Sequence, residues 1–163
     1  MRNLSAIAAA AIAGLLASMG ALTGCSSGSA ANLAVGDCLK TGGTPERPEV
    51  TKVDCGSQDS NFKVAATVED SDLCPADVDS YYSMRGAFSD ATTTICMDID
   101  WVVGDCIDLG GEDPQRIDCS EPAVQGEEVT EILLDTSDVN DCSTSEGGFV
   151  YRERNFVVCT DTI

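Results

Sequence analysis

Apolar and polar positions alternate in short runs along most of this chain, separated by clusters of Gly, Pro, Asp and Ser. Such short alternating runs between turn residues read as strands. Residues 35–39 predict a first strand, and a turn rich in Gly and Pro follows. Residues 50–55, with β-branched Val50, Thr51 and Val53, predict the returning strand. Residues 62–68 predict a third, with Phe62, Val64, Ala66 and Val68 on one face. The run 92–103 predicts another strand, and 103–109, 116–119, 129–134 and 155–159 predict four more.

Two segments depart from this period. Asp72-Leu73-Cys74-Pro75 opens a predicted helix, capped by Ser71 or Asp72 with Pro75 in its first turn. Val78, Tyr81 and Tyr82 would share its inner side. A shorter helix is predicted at 137–142. The expected class is therefore α+β and β-dominated.

The pattern also repeats. Val35-Gly36-Asp37-Cys38 recurs as Val103-Gly104-Asp105-Cys106, and Val53-Asp54-Cys55 recurs as Ile117-Asp118-Cys119. Gly42-Gly43 is matched by Gly110-Gly111, and Val64 by Val129. Gly86-Ala87-Phe88 is matched by Gly147-Gly148-Phe149, and Cys96-Met97-Asp98 by Cys159-Thr160-Asp161. The order is kept throughout, which predicts an internal duplication with units 35–100 and 101–163. The link Asp98-Ile99-Asp100-Trp101 is too short and apolar for a floppy linker, so the two tandem units are expected to pack against each other.

Before the first unit the pattern changes altogether. Arg2 precedes an uncharged run of Ala, Ile, Leu, Gly and Met that ends at Leu22-Thr23-Gly24-Cys25. A basic start, a short apolar stretch and small residues before a cut are the parts of an export signal. The stretch is shorter than the roughly 20 residues of a spanning helix. Residues 1–24 are expected to be a signal peptide with a lipobox, and Cys25 the lipid-attachment residue. Residues 25–34 read as a flexible tether of Ser, Gly, Ala and Asn. Several acyl chains give stable anchoring where one is marginal. The expected location is the extracytoplasmic face of the cell membrane, which the protein meets through that anchor.

The chain has 9 cysteines. Reserving Cys25 for lipid leaves Cys38, Cys55, Cys74, Cys96, Cys106, Cys119, Cys142 and Cys159, four in each unit. An even set in an exported chain reads as a disulfide framework. No Cys-x-x-Cys pair suggests zinc. Units this small have marginal cores that disulfides commonly support. Four cysteines per unit allow three connectivities. Neighbour pairing (Cys38–Cys55, Cys74–Cys96, Cys106–Cys119, Cys142–Cys159) is favoured because it closes short loops. Each such bridge would add roughly 3 kcal/mol.

Charge narrows the partners. Of 9 basic and 28 acidic residues only Arg2 falls in the leader, so the remainder carries 8 basic against 28 acidic side chains, a net charge of −20. So acidic a chain repels phosphate backbones and anionic lipid, and no nucleic-acid partner is expected. The absence of His removes the usual general base and the His-paired nucleophiles. No cofactor or metal is implied.

Candidate chemistry is sparse. Ser60-Asn61-Phe62-Lys63 and Lys40-Thr41-Gly42 match two strings of penicillin-interacting enzymes, but in the wrong order and without Ser-Asp-Asn, so they read as coincidence. Asp98 and Asp100 alternate on a predicted strand. With Asp105, Asp108, Glu112 and Asp113 they suggest a carboxylate pair or a calcium site, against a solvated acidic edge that discourages strand pairing. The edge is the expected reading. Trp101, Tyr81, Tyr82, Phe88, Phe149, Tyr151 and Phe156 are expected in the core or in the seam between units, with a glycan or peptide groove as the alternative. Arg152 and Arg154 suggest an internal ion pair.

The lipobox Cys, Val-Gly-Asp-Cys, Val-Asp-Cys, Cys-Pro-Ala-Asp-Val-Asp, Asp-Ile-Asp-Trp-Val-Val-Gly-Asp-Cys and the closing Phe-Val-Val-Cys together resemble the LppU-type lipoproteins of actinobacteria, mycobacteria among them. Each unit also resembles septum-formation-like domains, although the Pro-His that often follows their second Cys is Gly56-Ser57 or Ser120-Glu121 here. The resemblance implies an exported lipoprotein without a known enzyme activity. Three readings remain. The first is a non-enzymatic binding or scaffolding module that contacts envelope proteins or wall polymer. The second is a carboxylate hydrolase of wall glycan using Asp98 and Asp100. The third is a carrier of a small amphiphile between the units.

Overall fold

The computed structural model describes residues 32–44, 47–85 and 92–163. The expected leader, Cys25, most of the expected tether and the Gly86-Ala87-Phe88 segment lie outside them. The order of elements is β1 (Cys38–Thr44), β2 (Arg47–Val53), β3 (Phe62–Val68), β4 (Ser80–Arg85), β5 (Thr92–Ile99), β6 (Cys106–Asp108), β7 (Gln115–Ile117), β8 (Gly126–Leu134), β9 (Gly147–Tyr151) and β10 (Phe156–Thr162). They form two antiparallel five-stranded sheets, ordered β2-β1-β3-β5-β4 and β7-β6-β8-β10-β9. The second order is the first with every strand moved on by five.

The strands form where the sequence is β-branched or alternating. β5, Thr-Thr-Thr-Ile-Cys-Met-Asp-Ile, runs through the middle of its sheet and buries Thr94, Ile95, Cys96 and Met97. β3 buries Phe62 and Val64, but the predicted single face does not continue to Ala66. The register against β5 slips between Val64 and Ala66, so a bulge at Ala65 ends the simple alternation. β8 and β10 slip at the corresponding point, where Val129 faces Thr160 and Glu131 faces Cys159.

Each Val-Gly-Asp-Cys segment is built onto this bulge. Asp37 N–H donates to Ala34 O and Asp105 N–H to Val102 O, closing two four-residue turns. Gly36 and Gly104 have φ of +91° and +89°, the third-position conformation of a type II turn, which glycine adopts without strain. Gly36 N–H donates to Val64 O, and Val64 N–H returns a bond to Asp37 O. Gly104, Val129 and Asp105 make the same two bonds. The tetrapeptide therefore sets the start of each first strand against the third.

The two helix expectations are not met. Among the described residues there is no α-helix, so the fold is β with two single 3-10 turns, Ser71–Leu73 and Val139–Asp141. In each turn the preceding Asp, Asp70 or Asp138, accepts a backbone N–H two residues on. The next residue, Cys74 or Cys142, is then bridged to a central strand, which ends the turn. Residues 80–85 pair with β5 instead of coiling, turning Tyr82 and Met84 inward and Tyr81 and Ser83 outward. By register Ser80-Tyr81-Tyr82 corresponds to Gly147-Gly148-Phe149. Gly42 lies within β1 whereas Gly110 follows β6, so that glycine match does not share an environment.

Four cysteine pairs stand at disulfide distance: Cys38–Cys55, Cys74–Cys96, Cys106–Cys119 and Cys142–Cys159, with S–S separations of 1.97–2.04 Å. The first and third each tie a hairpin. The second and fourth tie a 3-10 turn to a sheet. Leu39, Phe62, Val64, Ile95, Met97 and Ile99 make a core that Ile107 of β6 also enters. A second cluster holds Val129, Tyr151 and Val158, and Trp101 packs against both. Leu33, inside the expected tether, packs on the first core, so ordered packing begins before residue 35.

Candidate functional site

Asp98 and Asp100 close β5 and follow it, and each meets an arginine from the other half of the chain. Asp100 is almost wholly buried, its side chain 3 % exposed beside an Arg116 side chain 4 % exposed. Its Oδ2 accepts from Ser60 Oγ at 2.6 Å, from Gly56 N–H at 2.7 Å and from Arg116 Nη2 at 3.4 Å. Arg116 Nη2 also donates to Asp100 O at 2.5 Å, Nε to Ser57 O at 3.2 Å, and Nη1 to the Asp105 carboxylate. Gln58 adds a bond from its side-chain amide to Arg116 O.

Arg154, in the β9–β10 turn, makes the second clasp. Its Nε donates to Asp77 Oδ1 at 3.0 Å, Nη2 to Asp77 O at 2.9 Å, and Nη1 to Asp98 Oδ2. The guanidinium lies 5.0 Å from the centre of the Tyr151 ring, which stacks on Phe156 at 4.2 Å. Tyr151 donates its hydroxyl proton to Asp79 Oδ2 at 2.6 Å and accepts from Trp101 Nε1 at 2.7 Å. Trp101 in turn stacks on Phe149.

This environment separates the carboxylates. Burial opposes the ionisation of Asp77, but Arg154 and the backbone N–H groups of Glu153 and Arg154 outweigh it and hold its pKa down. Burial wins at Asp79 and Asp98 and raises both, despite the bonds from Tyr151 and Arg154 respectively. Asp98 Oδ1 is buried without a hydrogen-bond partner. Burial, then Asp79, also raises the pKa of the Tyr151 phenol.

The expected solvated acidic edge is thus corrected. Asp100 is buried and Asp98 half-buried, and different arginines hold them. They do not form a shared carboxylate pair. Asp105 is taken by Arg116. Asp108 accepts three backbone N–H bonds, from Gln125, Gly110 and Val124, which lower its pKa. The six acidic residues of the suggested calcium site therefore do not converge. Asp100 does lie close to Cys38 and Cys55, but those sulfurs are bonded to one another and offer no thiolate. Ser60 is committed to Asp100, so Ser60 and Lys63 make no nucleophile pair. Arg154 carries the expected internal ion pair.

Beside the Arg154 clasp a cleft of about 310 Å³ opens between the sheets. Val64, Ile99 and Trp101 line it from one side and Ile132, Phe156 and Val158 from the other. Val35 and Leu134, also in its lining, are 66 % and 74 % exposed. Lys63 and Asp98 are its charged members. The volume and mainly apolar lining are those of a small-ligand or side-chain pocket. Of the aromatics, Trp101, Phe149, Tyr151 and Phe156 gather at the seam, whereas Tyr81 points to solvent.

The sequence did not reveal Arg116 as a clasp, nor Asp77, Asp79 and Tyr151 as its second counterpart. One signal was present: an Arg one residue before Ile117-Asp118-Cys119, where the first unit has Lys52 before Val53-Asp54-Cys55. Comparison with known proteins finds no matching family model, no similar curated protein and no similar solved structure.

Arg116→Met would leave Asp100 buried and uncompensated. It is expected to cost about 3–5 kcal/mol in urea unfolding, and Arg116→Met with Asp100→Asn to recover part of that loss. Asp79 generates a pH dependence. Because its folded pKa is raised, its contribution is full below the ordinary aspartate pKa of about 3.9 and is lost as pH rises through the raised value. The difference in melting temperature between Asp79→Asn and the wild type should therefore narrow as pH falls.

Proposed function

We propose that this chain is an exported, LppU-type lipoprotein that acts as a non-enzymatic binding module of the cell envelope. In this reading Cys25 carries the acyl anchor, on the extracytoplasmic face of the membrane. Units 35–100 and 101–163 are tandem copies packed against each other. The identical strand orders, the matched bulges and the two arginine clasps support that arrangement. Eight cysteines at disulfide distance favour an oxidising compartment.

The observation that carries the binding role is the apolar cleft at the seam, with Val35 and Leu134 exposed at it. An anchor holding such a cleft near the membrane suits capture of an envelope protein's apolar side chain. The hydrolase reading loses its named pair, because Asp98 and Asp100 are each bonded to an arginine. Amphiphile carriage stands as the second reading, favoured by the cleft's volume and apolar lining.

Crosslinking co-purification from intact envelopes separates these readings. The wild-type chain should recover a discrete protein set that Leu134→Asp, a change at an exposed position, does not. Recovery unchanged by Leu134→Asp would move binding away from the cleft. Trp101 is the only tryptophan and lines the cleft. Under the second reading its emission should shift on titration with lauric acid, and an unchanged spectrum would remove that reading.

A further inference from the structure

A second, polar groove lies away from the apolar cleft. It holds about 490 Å³ between β1 on one wall and the β6–β7 loop on the other. A smaller hollow of about 130 Å³ continues it, since Thr41, Gly42 and Asp113 border both. That hollow reaches Tyr82 and Tyr81, the latter 58 % exposed.

The wall at β1 is longer than its counterpart β6, and β2 pairs with all of it. β1 has seven residues, of which β3 covers only Cys38 and Leu39. Its counterpart β6 has three and does the same work in the second sheet. The extension is held in place by Asn61, whose side-chain amide accepts from Thr41 N–H at 2.9 Å and donates to Thr41 Oγ1 at 3.0 Å. A β1–β2 hairpin that runs on beyond β3, with β1 fixed by a nearly buried amide, builds a groove wall, not a core.

The chemistry of the groove selects its occupant. Glu49, Glu112 and Asp113 form no ion pair among the described residues. Lys40 and Arg116 also line the groove, but Lys40 is paired with Asp59 and Arg116 with Asp100 and Asp105, so the unpaired groups are acceptors with negative charge and phosphate, sulfate and carboxylate polymers are disfavoured. Tyr81 offers a flat apolar ring with a polar tip at the far end. Hydroxyl-rich rings with one apolar face meet both demands. Addition of a peptide strand is less suited, because Gly43 has a φ of +91° and breaks the extended backbone such a strand must follow.

We propose that this groove binds an uncharged oligosaccharide, one sugar face on Tyr81 and its hydroxyls donating to Glu49 and Asp113. The site is separate from the apolar cleft and does not depend on how the chain is anchored. Gly42 makes it testable, because it sits where the two hollows meet. No atom lies within 4 Å of a Cβ added there, and its φ is not in the left-handed region. A larger side chain would fold and fill the groove.

The experiment is calorimetric titration of the full, oxidised chain with cellotetraose, maltotetraose and tetra-N-acetylchitotetraose, and separately with tetralysine. At least one tetrasaccharide should bind. Tyr81→Ala should weaken it about three- to tenfold, the range of a single aromatic contact. Gly42→Leu should abolish it, with the melting temperature of both variants unchanged. Three results would each overturn the proposal: no tetrasaccharide binding at millimolar concentration, binding insensitive to both variants, or tetralysine binding that both variants weaken.

Discussion

The contact on which the rest of this structure leans is the buried pair of Arg116 and Asp100. Taking both ions out of water is costly, and the cost is offset only because nearly every polar atom of the pair is used. Asp100 holds the Gly56 N–H, next to the Cys38–Cys55 bridge, and Ser60, at the entry to β3. Arg116 sits within the loop closed by Cys106–Cys119 and binds Ser57 O and Asp105. One ion pair therefore orients two covalently closed loops from different sheets. Arg154 does the same for Asp77 and Asp98 at the other clasp, with Tyr151 and Phe156 beneath it.

Much of the fold was legible because β-sheets write a period of two. The strands at 62–68 and 129–134 could be read directly from alternation and β-branching. The use of cysteine could be read from its even count once Cys25 is set aside. The segment around Tyr81 and Tyr82 was misread because Val78, Tyr81 and Tyr82 also fit a helical spacing. A disulfide at Cys74 and pairing with β5 decided for strand, and both are long-range events that no local window contains. The same limit hid the site. Asp98 and Asp100 looked like exposed acid in an acidic chain, and only their distant arginines explain why they are drawn out of solvent.

The acidity of the chain is handled locally. Asp37, Asp108, Asp118 and Asp138 have lowered pKa values, chiefly through hydrogen bonds from backbone N–H groups or, at Asp118, from the Ser120 hydroxyl. These aspartates act as turn formers, fixing loops between strands, and among the described residues only Asp37 of the four also makes an ion pair, with Lys52. Arg116 and Arg154 instead meet side-chain carboxylates, those of Asp100 and Asp105 and those of Asp77 and Asp98. The division explains how so acidic a chain keeps a packed interior with so little basic charge.

The clasp is also directional. By strand register Lys52 occupies in the first sheet the place of Arg116 in the second, and Ile163 occupies the place of Asp100. Asp100 and Ile163 even make the same backbone bond, to Asn61 O and Gly126 O. Yet Lys52 is half-exposed and turned to its own Asp37 at 2.7 Å, and Ile163 has an apolar side chain in place of a carboxylate one. A head-to-tail contact between like units ordinarily invites a third unit, then a fourth, into an open filament. Here the side chains at the positions that correspond to Arg116 and Asp100 do not present that pair, so this clasp is not offered again at the outer ends of the two sheets.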